Sequence, residues 1–290
     1  MKTVDTSQSL ALLFAGRRRR ELQVSRFREI FPAVAKPLIA MAHVPALPGT
    51  PLYDAEGGMP AVVGQVRRDV DVLLDAGFDA VMFCNENDRP YQLNAGPEGA
   101  AALARVVTEC HPGELPFGVD FLWDARCALA VAAVTGARFI REVATGTWES
   151  DMGLWQPDAA HLLRERRRLD AGGLGIFMNI TPEFASGIGH RSAAQMARST
   201  TVSSLADAIL VSGPMAGAEP DVSTVEAVRE AVPPEVPVLL NTGAKAATIG
   251  RYLEHADGCV VGSDLKVNGY TWNPVDADRA RRFVDAARSA

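Results

Sequence analysis

The sequence predicts one (β/α)₈ barrel, a TIM barrel, preceded by a short helical extension. Eight short, nearly continuous apolar runs alternate with amphipathic segments from Pro37 onward. Runs of this kind are typical of parallel strands that are buried on both faces. No linker rich in Pro, Gly and Ser interrupts the alternation, and 290 residues suit a single barrel. We therefore predict an N-terminal helical extension over residues 1–36 and a barrel over residues 37–290.

The apolar runs give the predicted strands in order: Leu38–His43, Ala80–Asn85, Phe117–Phe121, Phe139–Val143, Gly175–Ile180, Ala208–Ser212, Val236–Asn241 and Gly258–Gly262. The amphipathic segments give the helices: Met59–Gly77, Gly99–His111, Asp124–Gly136, Pro157–Leu169, Ala193–Leu205, Val222–Val232, Ala246–His255 and Asp276–Ala287. Asp79, Asp207 and Asp257 lie just before strands, at the end of a barrel where residues serve stability. An open doubly wound sheet rarely needs so many units and would show a Gly-rich turn after its first strand, which is absent here.

The composition is that of a globular protein, with 48% hydrophobic and 22% charged residues. The net charge of -6 provides no basic field for a polyanion, so we expect no nucleic-acid partner. We expect no membrane span either. The segment Leu10 to Ala15 precedes the run Arg17 to Arg20, the reverse of a signal peptide, and the run is either a solvated helix face or a contact with an anionic surface. Four dispersed cysteines indicate reduced, buried thiols in a cytoplasmic protein: Cys84, Cys110, Cys127 and Cys259.

Polar residues stand at the carboxyl ends of all eight predicted strands, where a barrel carries its active site. Burying so many polar groups around one mouth is costly unless a ligand, water or mutual hydrogen bonds satisfy them. Any one of them could instead cap a strand end or form a salt bridge to a loop. The ring comprises His43, Asn85, Glu86, Asp120, Arg141, Glu142, Asn179, Ser212, Asn241 and Ser263.

The last two strands are followed by Asn241-Thr242-Gly243 and Gly262-Ser263, which predict a phosphate site. Glycine lets the backbone approach an oxyanion, and a short helix beginning near Ser263 would direct N–H groups at it. Gly213, after the sixth strand, could contribute another donor. Lys245 and Lys266 lie just past these strands and could either contact the anion or remain solvated.

Carboxylate acid/base chemistry remains after other chemistries are set aside. No lysine ends the first six strands, which disfavours a Schiff base, and Asp120-Phe121-Leu122-Trp123-Asp124 lacks the lysine of the Asp-x-Lys-x-x-Asp array. A metal could use His43, Asp120 and Glu142, but their separation gives no spacing evidence, so we expect no metal and no cofactor.

The carboxylate candidates are Glu86, Asp120, Glu142, Asp151 and Glu183. We expect Asp120 and Glu142, on adjacent strands, to form the acid/base pair, with Glu86 in reserve. Because Arg141 and Glu142 alternate in direction, only one points inward, and we expect Glu142. Trp123, Trp148 and Trp155 could stack on a sugar or pack on the rim.

Ordered motifs from about Phe27 to Arg288 are similar to those of one family. They are Met41–Gly49, Asn85-Glu86 with Arg89-Pro90-Tyr91, Gly118–Asp120 with Trp123-Asp124, Thr135–Glu142, Thr145-Gly146, Ser150–Trp155, Asn179-Ile180 with Pro182-Glu183, Val211–Gly213, Ala216-Gly217, Asn241–Gly243 and Ala256–Gly258. The chain resembles the BtpA/SgcQ family, in particular its SgcQ-like branch. The resemblance implies a barrel of the ribulose-phosphate-binding type and an accessory enzyme of carbohydrate and phosphosugar metabolism, with nucleosidase-like chemistry among the options. The photosystem-associated branch has Asp and then Lys-His in the region that reads Asn179–Phe184 here, so its role does not carry over.

Two functions from different classes follow. The first is an enzyme that acts on a phosphorylated sugar or a nucleoside or nucleotide by glycosidic cleavage, isomerisation or lyase chemistry. The predicted substrate-binding residues are His43, Asn85, Arg141, Asp151, Asn179, Glu183, Ser212 and Asn241. The second is a non-catalytic assembly or stability factor on the same scaffold. A closed pocket favours the first, and an open apolar patch favours the second. In either case we expect a small phosphorylated or sugar-like ligand and a homo-oligomer.

Overall fold

The computed structural model describes residues 26–290. Eight parallel strands close into a barrel in the order β1-β11-β10-β9-β7-β4-β3-β2. The barrel strands are β1 (Leu38–His43), β2 (Ala80–Cys84), β3 (Phe117–Asp120), β4 (Phe139–Glu142), β7 (Gly175–Asn179), β9 (Ala208–Val211), β10 (Val238–Leu240) and β11 (Cys259–Val261). Every residue of these strands is buried, as strands covered on both faces require. The predicted fold class is confirmed, and the strand ends differ from the predicted ones by one or two residues.

Helices follow the barrel strands on the outside. They are α1 (Gly58–Ala76), α2 (Pro97–Cys110), α3 (Ala125–Thr135), α4 (Ala159–Arg168), α5 (Ala193–Ser203), α6 (Val222–Ala231), α7 (Ile249–Leu253) and α8 (Ala277–Arg288). Two short 3₁₀ helices, Ser263–Leu265 and Val267–Gly269, follow β11. The first is the short helix that the sequence predicts near Ser263. No helix in the described part of the chain combines the length and the apolar character needed to cross a bilayer.

A small antiparallel sheet outside the barrel was not predicted. Its strands are β5 (Trp148–Ser150), β6 (Gly153–Trp155) and β8 (Ala185–Gly187), in the order β6-β5-β8. It joins the loop after β4 to the loop after β7. Three residues per strand are too few to show a period of two, so the sequence pattern could not reveal it.

The amino end of the barrel is covered by a helical turn over residues 26–30. Phe27 packs on Phe177 with ring centroids 5.6 Å apart, and Phe31 packs on Phe139 at 6.2 Å. The rest of the predicted extension, including the run Arg17 to Arg20, lies outside the described residues. The four cysteines are buried and unpaired.

Three aspartates tie neighbouring strands together at the same amino end. Asp79 accepts a hydrogen bond from the backbone N–H of Leu38, Asp207 from that of Ile176, and Asp257 from that of Val238, at 2.7 to 2.9 Å. Each of the three also pairs with an arginine of an outer helix: Arg288, Arg166 and Arg229 respectively. These contacts agree with the structural role predicted for the aspartates.

Candidate active site

The predicted polar ring lies at one end of the barrel. His43, Asp120, Glu142 and Asn179 are the last residues of their strands, and Asn85, Ser212, Asn241 and Gly262 directly follow theirs. Since all eight strands are parallel members of one closed barrel, these residues converge on a single mouth, as predicted.

A cavity of about 210 Å³ opens at this mouth. Nine predicted site residues line it: His43, Glu86, Arg141, Glu183, Asn241, Thr242, Gly243, Gly262 and Ser263. Further lining residues include Trp123, Phe184, Gly217, Asp264, Thr271 and Arg279. Arg279 and Thr271 were missed because one is on an outer helix and the other follows a 3₁₀ turn, so neither is at a strand end.

Arg141 is the centre of the polar network beneath the cavity. Its Nη2 atom lies 2.7 Å from Asp120 Oδ2, and its Nη1 atom lies 3.8 Å from Glu183 Oε1. The same Nη1 donates to Asn241 Oδ1 at 3.3 Å. Asn241 in turn donates to Ser212 Oγ at 2.8 Å. The guanidinium therefore links polar groups from four strands into one rigid assembly.

Glu86 and His43 face each other across the cavity wall. Burial raises the pKa of Glu86 from 4.5 to about 7, although the charge of Arg141 opposes the rise. Burial, followed by the charge of Lys266, holds the pKa of His43 well below 6.5, so the imidazole is neutral. His43 Nδ1 lies 3.1 Å from the carbonyl oxygen of Thr271, which can only accept a hydrogen bond, so the proton is on Nδ1. The unprotonated Nε2 then lies 3.7 Å from Glu86 Oε2.

Asp120 and Glu142 form a buried carboxyl pair behind the wall. Burial raises the pKa of Asp120 to about 6, and burial together with the Asp120 charge raises that of Glu142 well above its usual range. Glu142 Oε1 accepts from the N–H of Phe121 at 3.2 Å. Within residues 26–290, Glu142 Oε2 and both carboxylate oxygens of Asp120 have no hydrogen-bond partner, and the contact of Asp120 Oδ2 with Arg141 is an ion pair. One proton shared between the two carboxyl groups satisfies both.

The inward direction predicted for Glu142 is corrected by this arrangement. Arg141 lines the cavity and Glu142 does not. Arg141 pairs with Asp120 beneath the cavity, whereas Glu142 lies behind the wall with Oε1 on the N–H group of Phe121.

Five other predicted residues lie outside the cavity wall. Asn85 accepts from the N–H of Leu122 and donates to Asp88, and Asn179 donates to Glu183, so both position neighbours. Ser212 and Gly213 line a second cavity of about 530 Å³ beside the first. Asp151 is exposed in the turn between β5 and β6 and lines neither cavity, although its N–H group donates to the carbonyl of Phe184 on the wall of the first.

The glycines of the predicted phosphate site are required by close packing within the chain, whereas the sequence analysis assigned them to the approach of an anion. A Cβ at Gly213 or Gly243 would collide with the carbonyl of Ala218, so both glycines make room for the loop after β9. A Cβ at Gly262 would lie 2.9 Å from His43 Cε1. The Thr242 hydroxyl donates to Glu183, and Ser263 Oγ is 2.8 Å from Thr271 Oγ1.

Lys266 does not reach the cavity. It is 1% exposed, and its Nζ donates to Asp69 Oδ2 at 3.2 Å between the barrel and α1. Among the residues that the structure describes, no three His, Cys, Asp or Glu side chains are placed to hold a metal ion.

Residues 34–289 match the BtpA family. The chain belongs to the BtpA family. One relative, the sgc region protein SgcQ of Escherichia coli strain K12, is 39% identical over 86% of this chain and 93% of its own length. Another, the photosystem I biogenesis protein BtpA of Synechocystis sp. PCC 6803, is 30% identical over 86% of this chain and 87% of its own. The predicted resemblance is therefore confirmed.

Solved structures similar to this BtpA-family chain share its barrel. An archaeal fructose 1,6-bisphosphate aldolase superposes with a TM-score of 0.56 at 17% identity, covering 92% of this chain and all of its own. The phosphoribosyl anthranilate isomerase of Thermotoga maritima gives 0.53 at 14% identity, covering 88% of this chain and all of its own. At these identities the likeness establishes the fold alone.

Proposed function

We propose that this BtpA-family protein is an enzyme that transfers protons to and from a small sugar-like ligand held in the barrel mouth. One observation carries the proposal: Glu86 lines the cavity with a pKa of about 7 and faces the free Nε2 of a neutral His43. A group whose pKa lies near the working pH is suited to general acid/base catalysis.

The two side chains divide the acid and base roles. At neutral pH about half of the Glu86 side chains carry a proton, which can pass to a carbonyl or leaving-group oxygen of the ligand. His43 Nε2 accepts a proton from a hydroxyl, a C–H group or a water molecule. Arg141 and Glu183 orient the ligand through its polar groups, because the network beneath the cavity fixes both of them. Asp120 and Glu142, lacking access to the cavity, hold Arg141 in place.

The comparisons favour this class of chemistry over a purely structural role. The aldolase and the isomerase among the similar barrels are enzymes of sugar phosphates by name. The BtpA relative is named for photosystem I biogenesis, which is the alternative class. An assembly factor has no need of an enclosed cavity with a neutral histidine and a carboxyl group of raised pKa, and this favours the enzyme.

The test is turnover by Glu86→Gln on a library of sugars, glycosides and sugar phosphates. We expect the wild type to convert one compound and the variant to lower kcat by about a hundredfold or more, since the amide cannot transfer the proton. The kcat/KM of the wild type should fall above about pH 7 as Glu86 ionises.

Glu149→Gln is the matched control, because Glu149 is an exposed glutamate on β5 outside the cavity. It should retain wild-type kcat. Equal turnover by wild type and Glu86→Gln, with an unchanged pH profile, would show that Glu86 does not transfer the proton.

A further inference from the structure

Asp264 occupies the position where the last two βα loops of a barrel commonly hold a phosphate. It lies on the cavity wall. Its Oδ2 atom accepts from the backbone N–H of Ala246, after β10, at 2.8 Å. Its Oδ1 atom accepts from Arg279 Nη2 at 2.9 Å, and the Asp264 carbonyl accepts from Arg279 Nε at 2.7 Å. A carboxylate of the chain thus already binds the N–H group of Ala246 and the guanidinium of Arg279, two donors that an incoming anion would use.

A second carboxylate binds two side-chain donors that follow β10. Glu219 accepts from Lys245 Nζ at 3.0 Å and from the hydroxyl of Thr248. The side chains of Glu219 and Lys245 are 25% and 41% exposed, so this pair is looser than the one at Asp264. Lys245 is therefore directed at a carboxylate of its own chain.

The cavity wall as a whole offers no unpaired positive charge within residues 26–290. Its arginine and lysine side chains are Arg141, Lys245 and Arg279, and each contacts at least one carboxylate. Glu183 and Asp264 lie on the same wall. Two like unit charges about 4 Å apart repel by about 4 kcal/mol at an effective dielectric constant of about 20. A phosphate dianion would meet this repulsion without a free cation to offset it.

Trp123 provides the opposite signal, for an uncharged ligand. Its indole lines the cavity and is 4% exposed. The Nε1–H group is buried and has no hydrogen-bond partner in the described part of the chain. Because this group is closed to solvent, Trp123 contributes an apolar ring to the cavity wall rather than a hydrogen-bond donor. The indole lies beside Trp155 at 5.3 Å, and Phe184 adds an apolar surface to the same cavity.

We propose that the cavity binds an uncharged, unphosphorylated sugar or glycoside, which packs against the indole of Trp123. The proposal rests on the proposed function, since it names the ligand class of the same site. Asp264 and Glu219 disfavour phosphate by occupying the N–H group of Ala246 and the side chains of Arg279 and Lys245. The hydroxyl groups of the ligand bind Glu86, Glu183 and Arg141.

The test is anion rescue of Asp264→Ala in the full chain. We follow thermal unfolding while inorganic phosphate replaces chloride at constant ionic strength. The variant should be less stable than the wild type in chloride and should regain stability in a saturable way, because phosphate fills the vacated place between Ala246 and Arg279. The wild type should show no saturable gain. Asp278→Ala, which removes an exposed carboxylate on α8, is the matched control and should respond as the wild type does.

A saturable gain by the wild type as large as that of Asp264→Ala would overturn the proposal. If Asp264→Ala does not fold, titration of the wild type with ribose and with ribose 5-phosphate decides. Tighter binding of the phosphate by about tenfold or more would overturn it, and equal or weaker binding would support it. Glu86-dependent turnover of a phosphorylated sugar would refute this inference and leave the proposed proton transfer intact. An uncharged sugar that binds without turnover would support this inference and refute the proposed proton transfer.

Discussion

The contact between Gly262 and His43 changes the role assigned to Gly262. The sequence places Gly262 at the end of the last barrel strand, where glycine commonly admits an oxyanion. In the structure the His43 imidazole packs against Gly262, so that a Cβ added to Gly262 would lie only 2.9 Å from His43 Cε1. The glycine therefore sets the position of the base of the proposed reaction.

Gly262→Ala should displace the His43 ring and lower both stability and turnover. A methyl group forced into a packed interior costs about 1 to 3 kcal/mol. Urea unfolding and kcat are the measurements. Gly173→Ala is the control, because a Cβ there meets nothing within 4 Å. Wild-type stability in Gly262→Ala would show that the ring moves freely.

The side-chain directions and partners of Arg141, Glu142 and Lys266 could not be predicted from the sequence, because residues far away in the chain determine them. The alternation along β4 correctly indicated that one of Arg141 and Glu142 faces the cavity, but it could not say which. Arg141 faces the cavity and forms an ion pair with Asp120 on the next strand, a contact between residues 21 positions apart. Lys266 looked like a loop lysine because its partner, Asp69, is 197 positions away in the chain.

At the scale of elements, the three aspartates at the amino end tie each strand to its neighbour and to an outer helix. Asp207 has the strongest set of partners: Ile176 N–H at 2.8 Å, Arg166 at 2.7 Å and Arg26 at 2.7 Å. Its side chain is fully buried, whereas that of Asp257 is 33% exposed. The same local motif should therefore contribute different amounts to the free energy of unfolding at different strands.

Asp207→Ala should lower the free energy of unfolding by about 3 to 5 kcal/mol, because it leaves a buried arginine without its partner. Asp257→Ala should cost less, since water can replace the carboxylate there. Denaturant unfolding of both variants measures the difference. An equal loss in the two variants would refute the assignment of the effect to burial.

The small sheet of β5, β6 and β8 is the element that sequence analysis missed. Its strands lie in the loops after β4 and β7, and the pairing of β5 with β8 joins residues 35 to 39 positions apart, such as Ser150 and Ala185. The loop between β7 and β8 carries Glu183, so the sheet anchors one end of the segment that presents this carboxylate. The barrel strands were predictable because a strand buried on both faces has a continuous run of apolar residues. Short exposed strands have no such run.

At the scale of the whole molecule, the raised pKa values at the mouth make stability depend on pH. The folded-state pKa of Glu86 is about 7 against 4.5 for the free group, and that of Asp120 is about 6 against 3.8. The folded protein therefore binds more protons than the unfolded chain between about pH 4 and pH 7. The contribution of these groups is present in full at the acidic end of this window and is lost as the pH rises through it.

Glu86→Gln should gain stability relative to the wild type as the pH is raised from 4 to 8, by roughly 3 kcal/mol at most. The amide does not ionise, so the variant avoids the cost of a buried charge at pH 8. Unfolding in urea at both pH values, with Glu149→Gln as the control, measures this change. A constant difference between variant and wild type across the range would contradict the raised pKa.

The four tryptophans of the chain, Trp123, Trp148, Trp155 and Trp272, all belong to loops or short strands beyond the carboxyl ends of the barrel strands. Trp123 lines the cavity, and Trp155 packs on the ring of Trp123. Trp148 is on the small sheet, and the Trp272 ring lies 3.7 Å from the guanidinium of Arg89. Intrinsic fluorescence excited at the indole band is consequently a probe of one half of the molecule. An emission change without loss of helical circular dichroism reports ligand entry or local opening at the mouth, so the native chain carries its own unlabelled binding sensor.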